Sequence, residues 1–193
     1  MMRQSDFISK IISSSSELED VLKLRMEVFV VEQGVTAEEE IDGLDTLQAI
    51  ESGHVIHIMV VGNQGLVGTA RLILEGSNPN SDLVLDFPHI GRVAVKKCMR
   101  RQGIGEILMG ELHVIAKNMN FGGVTLSAQI QAAPFYTRLG YIKRGNIYDD
   151  VGIPHQDMML ANLTSVSPRI IDEVFLLFAS HQLSPYLHCF HFQ

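Results

Sequence analysis

The sequence predicts an α/β fold in which helices cover both faces of a sheet. Three observations carry that expectation. Val55 to Val61 is nearly all apolar on both alternating faces, as in a strand buried from two sides. Ile104, Ile107, Leu108, Leu112, Ile115, Ala116 and Met119 mark an amphipathic helix soon after a strand-like stretch, Ile90 to Val95. The 193 residues, 46% hydrophobic and 19% charged, suit one globular domain with at most a short appendage. A chain this long buries a full core without disulfides or metals.

The elements follow in order. Phe7 to Ile12 reads as a strand. Ser16 with Glu19 fits a capping box, and Leu18, Val21, Leu22, Val28 and Phe29 predict a helix from about Glu17 to Val31. Arg25 falls inside that apolar stripe, which is costly unless a carboxylate meets it, and Asp42 and Asp45 are the candidates. Glu38-Glu39-Glu40 reads as a solvated face or loop. Gly62 to Gly65 is a turn, and Leu66 to Leu74 returns as the second arm of a hairpin. Gly76 to Asp82 is a loop. Gly122-Gly123 ends the long helix, Val124 to Ala128 is a strand, and Ala132 to Leu139 is a short helix stopped by Gly140. Tyr141 to Ile147 and His155 to Leu163 are the closing pair of strands. The expected domain spans 1–164, and 165–193 is a C-terminal helical appendage. Its helix is Ile170 to Ala179, with Ser167 as cap and Pro168 in the first turn.

Composition narrows the function classes. Fifteen basic against 22 acidic residues give a net charge of −7, which argues against a generally basic surface for nucleic acid. No apolar run approaches the roughly 18 residues of a membrane span, and Met1 to Ser16 carries Arg3, Asp6 and Lys10, unlike a signal peptide. Cys98 and Cys189 form neither a disulfide framework nor a metal-ligand spacing, and His181, His188 and His191 match no standard zinc pattern. The expectation is a cytoplasmic protein without a metal, a membrane or a nucleic-acid partner; a homodimer stays open.

The chemistry lies in Gly91-Arg92-Val93-Ala94-Val95 followed by Lys96 to Gly105: a strand, a basic loop with two glycines, then the start of the strongest helix. First-turn amides of a helix lack internal partners and carry the positive end of the dipole, so an anion such as a pyrophosphate suits them. No P-loop run exists, and Leu108 stands where a dinucleotide fingerprint needs its third glycine. What remains is Arg100-x-x-Gly103-x-Gly105.

That pattern resembles the acetyl-CoA loop of the GNAT superfamily of N-acetyltransferases. A second match strengthens it: Gln129-x-x-Ala132-x-x-x-Tyr136-x-x-x-Gly140-Tyr141 is similar to the family's Asn-x-x-Ala-x-x-x-Tyr-x-x-x-Gly-Phe. Leu24-Arg25-x-x-Val28 to Gln33, Ile41 to Asp45, Gly68 to Leu72 and Gly152 to His155 resemble the ElaA-like and YjcF-like branch. The resemblance runs from the first helix to about Leu163. It implies the acyl-CoA N-acyltransferase fold, a mixed and mostly antiparallel sheet whose middle strands splay to admit the cofactor.

The activity it implies is acetyl transfer from acetyl-CoA to a primary amine of a small molecule or peptide, by direct attack in a ternary complex. Carried over, Val93, Ala94 and Val95 lie along the pantetheine arm, and Arg100, Arg101, Gln102, Gly103, Ile104, Gly105 and Glu106 surround the pyrophosphate, with Gln129 and Tyr136 also on the cofactor. Tyr136 is the candidate acid for the departing thiolate. Glu32 and His155 are candidate general bases. Glu32, Gln33 and Arg71 are candidates for the acceptor site, Arg71 either binding a substrate carboxylate or merely pairing with an acid. Two alternatives stay open: an acyl-homoserine-lactone-synthase-like acyltransferase, suggested by the Val28 to Asp45 segment, and a non-catalytic acyl-CoA sensor.

Overall fold

A computed structural model describes residues 6–81 and 83–163. Among the described residues there are seven strands: β1 (Ile8–Ile11), β2 (Val55–Gly62), β3 (Gly65–Ile73), β4 (His89–Val95), β5 (Gly123–Gln129), β6 (Ile142–Asp150) and β7 (Ile153–Ala161). They make one sheet in the order β1-β2-β3-β4-β5-β7-β6, antiparallel throughout except between β4 and β5. Five α-helices accompany it among the described residues: α1 (Ser15–Arg25), α2 (Ala37–Glu40), α3 (Leu47–Glu51), α4 (Ile104–Asn118) and α5 (Ala133–Arg138). The α/β expectation, with a mixed and mostly antiparallel sheet, holds.

Both faces are covered, as the apolar run in β2 requires. On one face Ile104, Leu108, Met109 and Leu112 of α4 pack with Ile56, Ile58, Val67, Leu72 and Ile90 of the sheet. On the other, Leu18 and Val21 of α1 and Ala49 and Ile50 of α3 meet Val55 and Met59, while Leu24 and Val28 close over Ala94. Gly68 lets α4 approach: a Cβ there would stand 2.8 Å from Ile104 Cγ2.

The first helix departs from its expected form in two ways. It begins two residues earlier, capped by Ser14, whose hydroxyl accepts from the Glu17 amide at 3.4 Å. It also does not stay α-helical to Val31: Met26–Val31 widens into a π-helix, with the Glu32 amide donating to the Glu27 carbonyl at 3.1 Å. Hydrophobic spacing places this stretch but does not reveal one extra residue in its turns. A capping box does exist, at Thr36 and Glu39, where it starts α2.

The acidic run is corrected more sharply. Glu40 is buried, at 2% exposure, rather than solvated. It and Asp45 are the carboxylates that meet Arg25; Asp42 pairs with Arg71 instead. The closing strands pair as expected, with β6 exposed along its whole length as the edge beyond β7. The 164/165 boundary, the helix from Ile170 to Ala179 and the tail residues His181, His188, Cys189 and His191 lie outside the described residues.

Candidate active site

The site is a split in the sheet. Parallel pairing of β4 with β5 is limited to His89 with Thr125 and Ile90 with Leu126. Beyond Ile90 the β4 main chain has no β5 partner. A bulge accompanies the separation: Thr69 faces Ala94 while Arg71 faces Gly91, so β4 carries one extra residue, and Arg92 adopts a left-handed backbone with φ 53°. The opening widens into a cleft of about 810 Å³.

One end of the cleft is the glycine loop. Arg101 (φ 63°) and Gly103 (φ 85°) take left-handed conformations that turn the chain into α4, and Gly103 caps it without a side chain. The helical hydrogen bonds begin at Ile107, whose amide donates to the Gly103 carbonyl at 3.0 Å. The amides of Ile104, Gly105 and Glu106 therefore face outward at the positive end of a four-turn dipole. Arg100, Arg101, Gly103, Ile104, Gly105 and Glu106 all line the cleft; so does Arg138 of α5, a cation the sequence reading missed. Gln102 does not line it, because its amide bonds the Cys98 carbonyl at 3.3 Å within its own loop. Gly105 gives Phe135 room: a Cβ there would lie 3.1 Å from the ring.

Along the middle, Val93 and Val95 line the cleft, whereas Ala94 turns into the core beside Leu24 and Val28. Arg100 Nε donates to the Val95 carbonyl at 3.0 Å, and its Nη2 meets Glu32 at 2.9 Å. Opposite, Gln129 donates to Gln33 Oε1 at 2.7 Å and accepts from Gln131 at 3.0 Å. Consecutive residues Glu32 and Gln33 thus reach both walls of the split. Gln33 and Gln129 line the cleft; Glu32 does not.

Tyr136 and His155 line the same space. Burial pushes the Tyr136 phenol up to about 12. Its ring packs edge-on against Phe135 and Tyr141, with centroids 5.0 and 5.9 Å apart, and Tyr141 is fixed in turn by a 2.7 Å hydrogen bond with His113. His155 Nδ1 lies 2.8 Å from the Ile153 carbonyl. A carbonyl only accepts, so Nδ1 is the donor here, and in the neutral ring the lone pair is on Nε2. The ring stacks on Tyr148, whose hydroxyl donates to Asp157 at 2.8 Å.

The remaining wall rests on a buried ion network. Arg25 pairs with Glu40 and Asp45, Arg71 with Asp42 and Asp45, and Arg92 with Glu40 at 2.9 Å. Burial alone would raise the Asp45 carboxyl, but hydrogen bonds and charge from Arg25, with Arg71, hold it below the usual range. Arg92 also donates to the carbonyls of Glu40 and Glu39, tying α2 to the bulge. Arg71 lies behind the cleft wall rather than on its surface, with both terminal nitrogens on aspartates. Of the two roles open to it, pairing with acids is the one the geometry displays. Among the described residues, no group of three or more His, Cys, Asp or Glu is arranged to hold a metal ion.

Comparison with known proteins agrees with this geometry. The family described as acetyltransferase (GNAT) domain matches residues 19–161. This chain belongs to the GNAT acetyltransferase family. Among its relatives, the uncharacterised N-acetyltransferase YjcF of Bacillus subtilis is 35% identical over 150 residues, covering 77% of this chain and 96% of YjcF. The crystal structure of Escherichia coli ElaA superposes with a TM-score of 0.65 at 31% identity, covering 79% of this chain and 98% of that one. An acyl-CoA N-acyltransferase from Pseudomonas aeruginosa gives 0.64 at 32% identity, with 81% and 99% covered. The resemblance to the ElaA-like and YjcF-like branch is thereby shown, and the fold of this GNAT chain is that of its solved relatives. No helix among its described residues is long and apolar enough to cross a membrane.

Proposed function

We propose that this GNAT chain transfers the acetyl group of acetyl-CoA to a primary amine, by direct attack while both reactants occupy the cleft. The observation that carries the reading is the split: β4 loses β5 beyond Ile90, and the cleft it opens runs to the outward-facing amides of Ile104, Gly105 and Glu106. An extended pantetheine arm can pair with the freed main chain at Val93 and Val95 like an added strand, and the diphosphate can meet the helix amides and Arg101.

The residues then divide the work. The ammonium form of the acceptor must lose a proton before it attacks; His155 Nε2 holds the free lone pair for it, whereas Glu32 is committed to Arg100. Nitrogen attacks the thioester carbon, and main-chain amides of the β4 bulge stabilise the oxygen as it gains charge. The carbonyl then re-forms as the C–S bond breaks with its electron pair leaving on sulfur, and the new amide nitrogen releases its surplus proton to solvent. With its phenol at about 12, Tyr136 keeps its proton and supports the thiolate by donating a hydrogen bond; the thiol proton is supplied from the imidazolium side by solvent. Holding both reactants together supplies much of the rate through orientation.

Calorimetry with acetyl-CoA and release of free thiol across an amine panel test this. Binding without turnover on any amine would favour a sensor. Turnover only with acyl-carrier substrates would favour a lactone-synthase-like enzyme. Crystals with coenzyme A that place its diphosphate away from 103–106 would overturn the reading of the loop.

A further inference from the structure

Arg71 is 3% exposed, and both its terminal nitrogens are engaged: Nη1 donates to Asp42 at 2.9 Å and Asp45 at 3.1 Å, and Nη2 to Asp42 at 2.5 Å. Its Nε–H has no partner among the described residues, the one buried side-chain polar atom there of which this is true. A buried donor left unpaired is costly, so it calls for an explanation. Gly91 supplies the setting. It stands opposite Arg71 across the β3–β4 pair and lines the cleft. A Cβ built on Gly91 would have a single heavy atom within 4 Å, Arg71 Nε at 4.0 Å. The absent side chain therefore leaves a methyl-sized niche in the cleft wall, with the buried Nε–H of Arg71 directly behind it.

The charge around the niche is already balanced. Arg25, Arg71 and Arg92 are each ion-paired, and their partners are Glu40, Asp42 and Asp45. Burial keeps the neighbouring His57 and His89 toward their neutral forms. A carboxylate entering here would add one uncompensated negative charge in partly buried surroundings, whereas an uncharged oxygen would satisfy the donor at no such cost.

We propose that the Gly91 niche is a subsite for an uncharged oxygen of the acceptor, a hydroxyl or amide carbonyl near the reacting amine, which accepts a hydrogen bond from Arg71 Nε. The acceptor class is then an amino alcohol, an amino sugar or an amino amide, rather than an amino acid with a free carboxylate beside the amine. This rests on the acetyltransferase reading above and deepens it.

Gly91→Ala tests it, since the added methyl fills the niche; Gly91 has no left-handed φ and the methyl meets nothing closer than 4.0 Å, so folding is preserved. For the unaltered chain, kcat/KM for ethanolamine should exceed that for propylamine at least about 10-fold, the scale of discrimination a site achieves against a substrate that leaves its polar group unpaired. In Gly91→Ala the ratio should fall to about one. Equal ratios in the two proteins, or preference for glycine over glycinamide, would overturn the proposal. Crystals holding coenzyme A and soaked with ethanolamine read the niche without turnover: the ethanolamine oxygen roughly 2.7–3.2 Å from Nε supports it, and solvent alone there overturns it. Acetyl-CoA calorimetry on the same proteins reads the cofactor site separately, so failure of the acetyltransferase reading is distinguishable from failure of this one.

Discussion

A phenol raised to about 12 and an imidazole with one nitrogen tied down are complementary tools. Tyr136 keeps its proton near neutral pH, and the neutral His155 ring, donating through Nδ1, turns its lone pair to Nε2. Removing the hydroxyl with Tyr136→Phe leaves the ring packed on Phe135 and Tyr141, so the fold is retained and only the hydroxyl proposed to meet the thiolate is lost. We expect kcat to fall by about 10²-fold, within the range for a proton donor or charge-stabilising hydrogen bond, while the acetyl-CoA Kd from calorimetry changes little. Unchanged kcat would remove Tyr136 from the chemistry. His155→Gly should lose a comparable factor, and added imidazole should restore part of it, because an exogenous base can occupy the vacated space. Rescue of this kind separates proton transfer from packing, since a merely structural histidine would not respond to the concentration of free imidazole.

At the scale of elements, the ion network joins α1, α2 and the loop before α3 to strands β3 and β4. Breaking a buried pair by removing one partner leaves an uncompensated charge and costs about 3–5 kcal/mol. Glu40→Ala takes one carboxylate from both Arg25 and Arg92, leaving three guanidinium groups on two aspartates, and should lower urea stability by roughly that amount. Glu39→Ala removes only the reciprocal half of the Thr36 capping box and should cost about 0.5–1 kcal/mol. Equal losses would deny the network its structural weight. These neighbours also show what a sequence conceals. Arg25 announces itself, because a charge inside an apolar stripe must find a partner, but three adjacent glutamates look alike until the chain folds. Only the third turns inward, onto Arg25 and Arg92. The apolar runs of β2 and α4 and the two glycines of the loop were legible because each follows from local spacing. The β4 bulge, the contribution of Arg138 and the niche at Gly91 were not, since each depends on which strand or helix comes alongside.

At the scale of the whole molecule, histidines that the core keeps neutral oppose folding as the pH falls below neutral. Burial pushes both His57 and His113 down to about 4, against an unfolded value near 6.5. His57 meets the Leu44 carbonyl at 3.0 Å beside Asp45, Arg25 and Arg71; His113 faces Tyr141. Above pH 6.5 both rings are neutral folded or unfolded, and neither opposes folding. Between 6.5 and about 4 the unfolded chain binds protons that the native state refuses, so stability falls as the pH falls, by up to about 3 kcal/mol for each ring. The aspartates act below this window: Asp42 and Asp45 have depressed pKa values, so their contribution persists through it and is lost only at still lower pH. Urea midpoints measured from pH 7.5 to 4.5 should therefore decline mainly below 6.5. His113→Gln can keep a hydrogen bond to Tyr141 without a titrating group, and its midpoint should decline less steeply over the same range, whatever its stability at pH 7.5. Parallel pH dependences for the two proteins would mean that His113 is not one of the groups through which acid destabilises the fold.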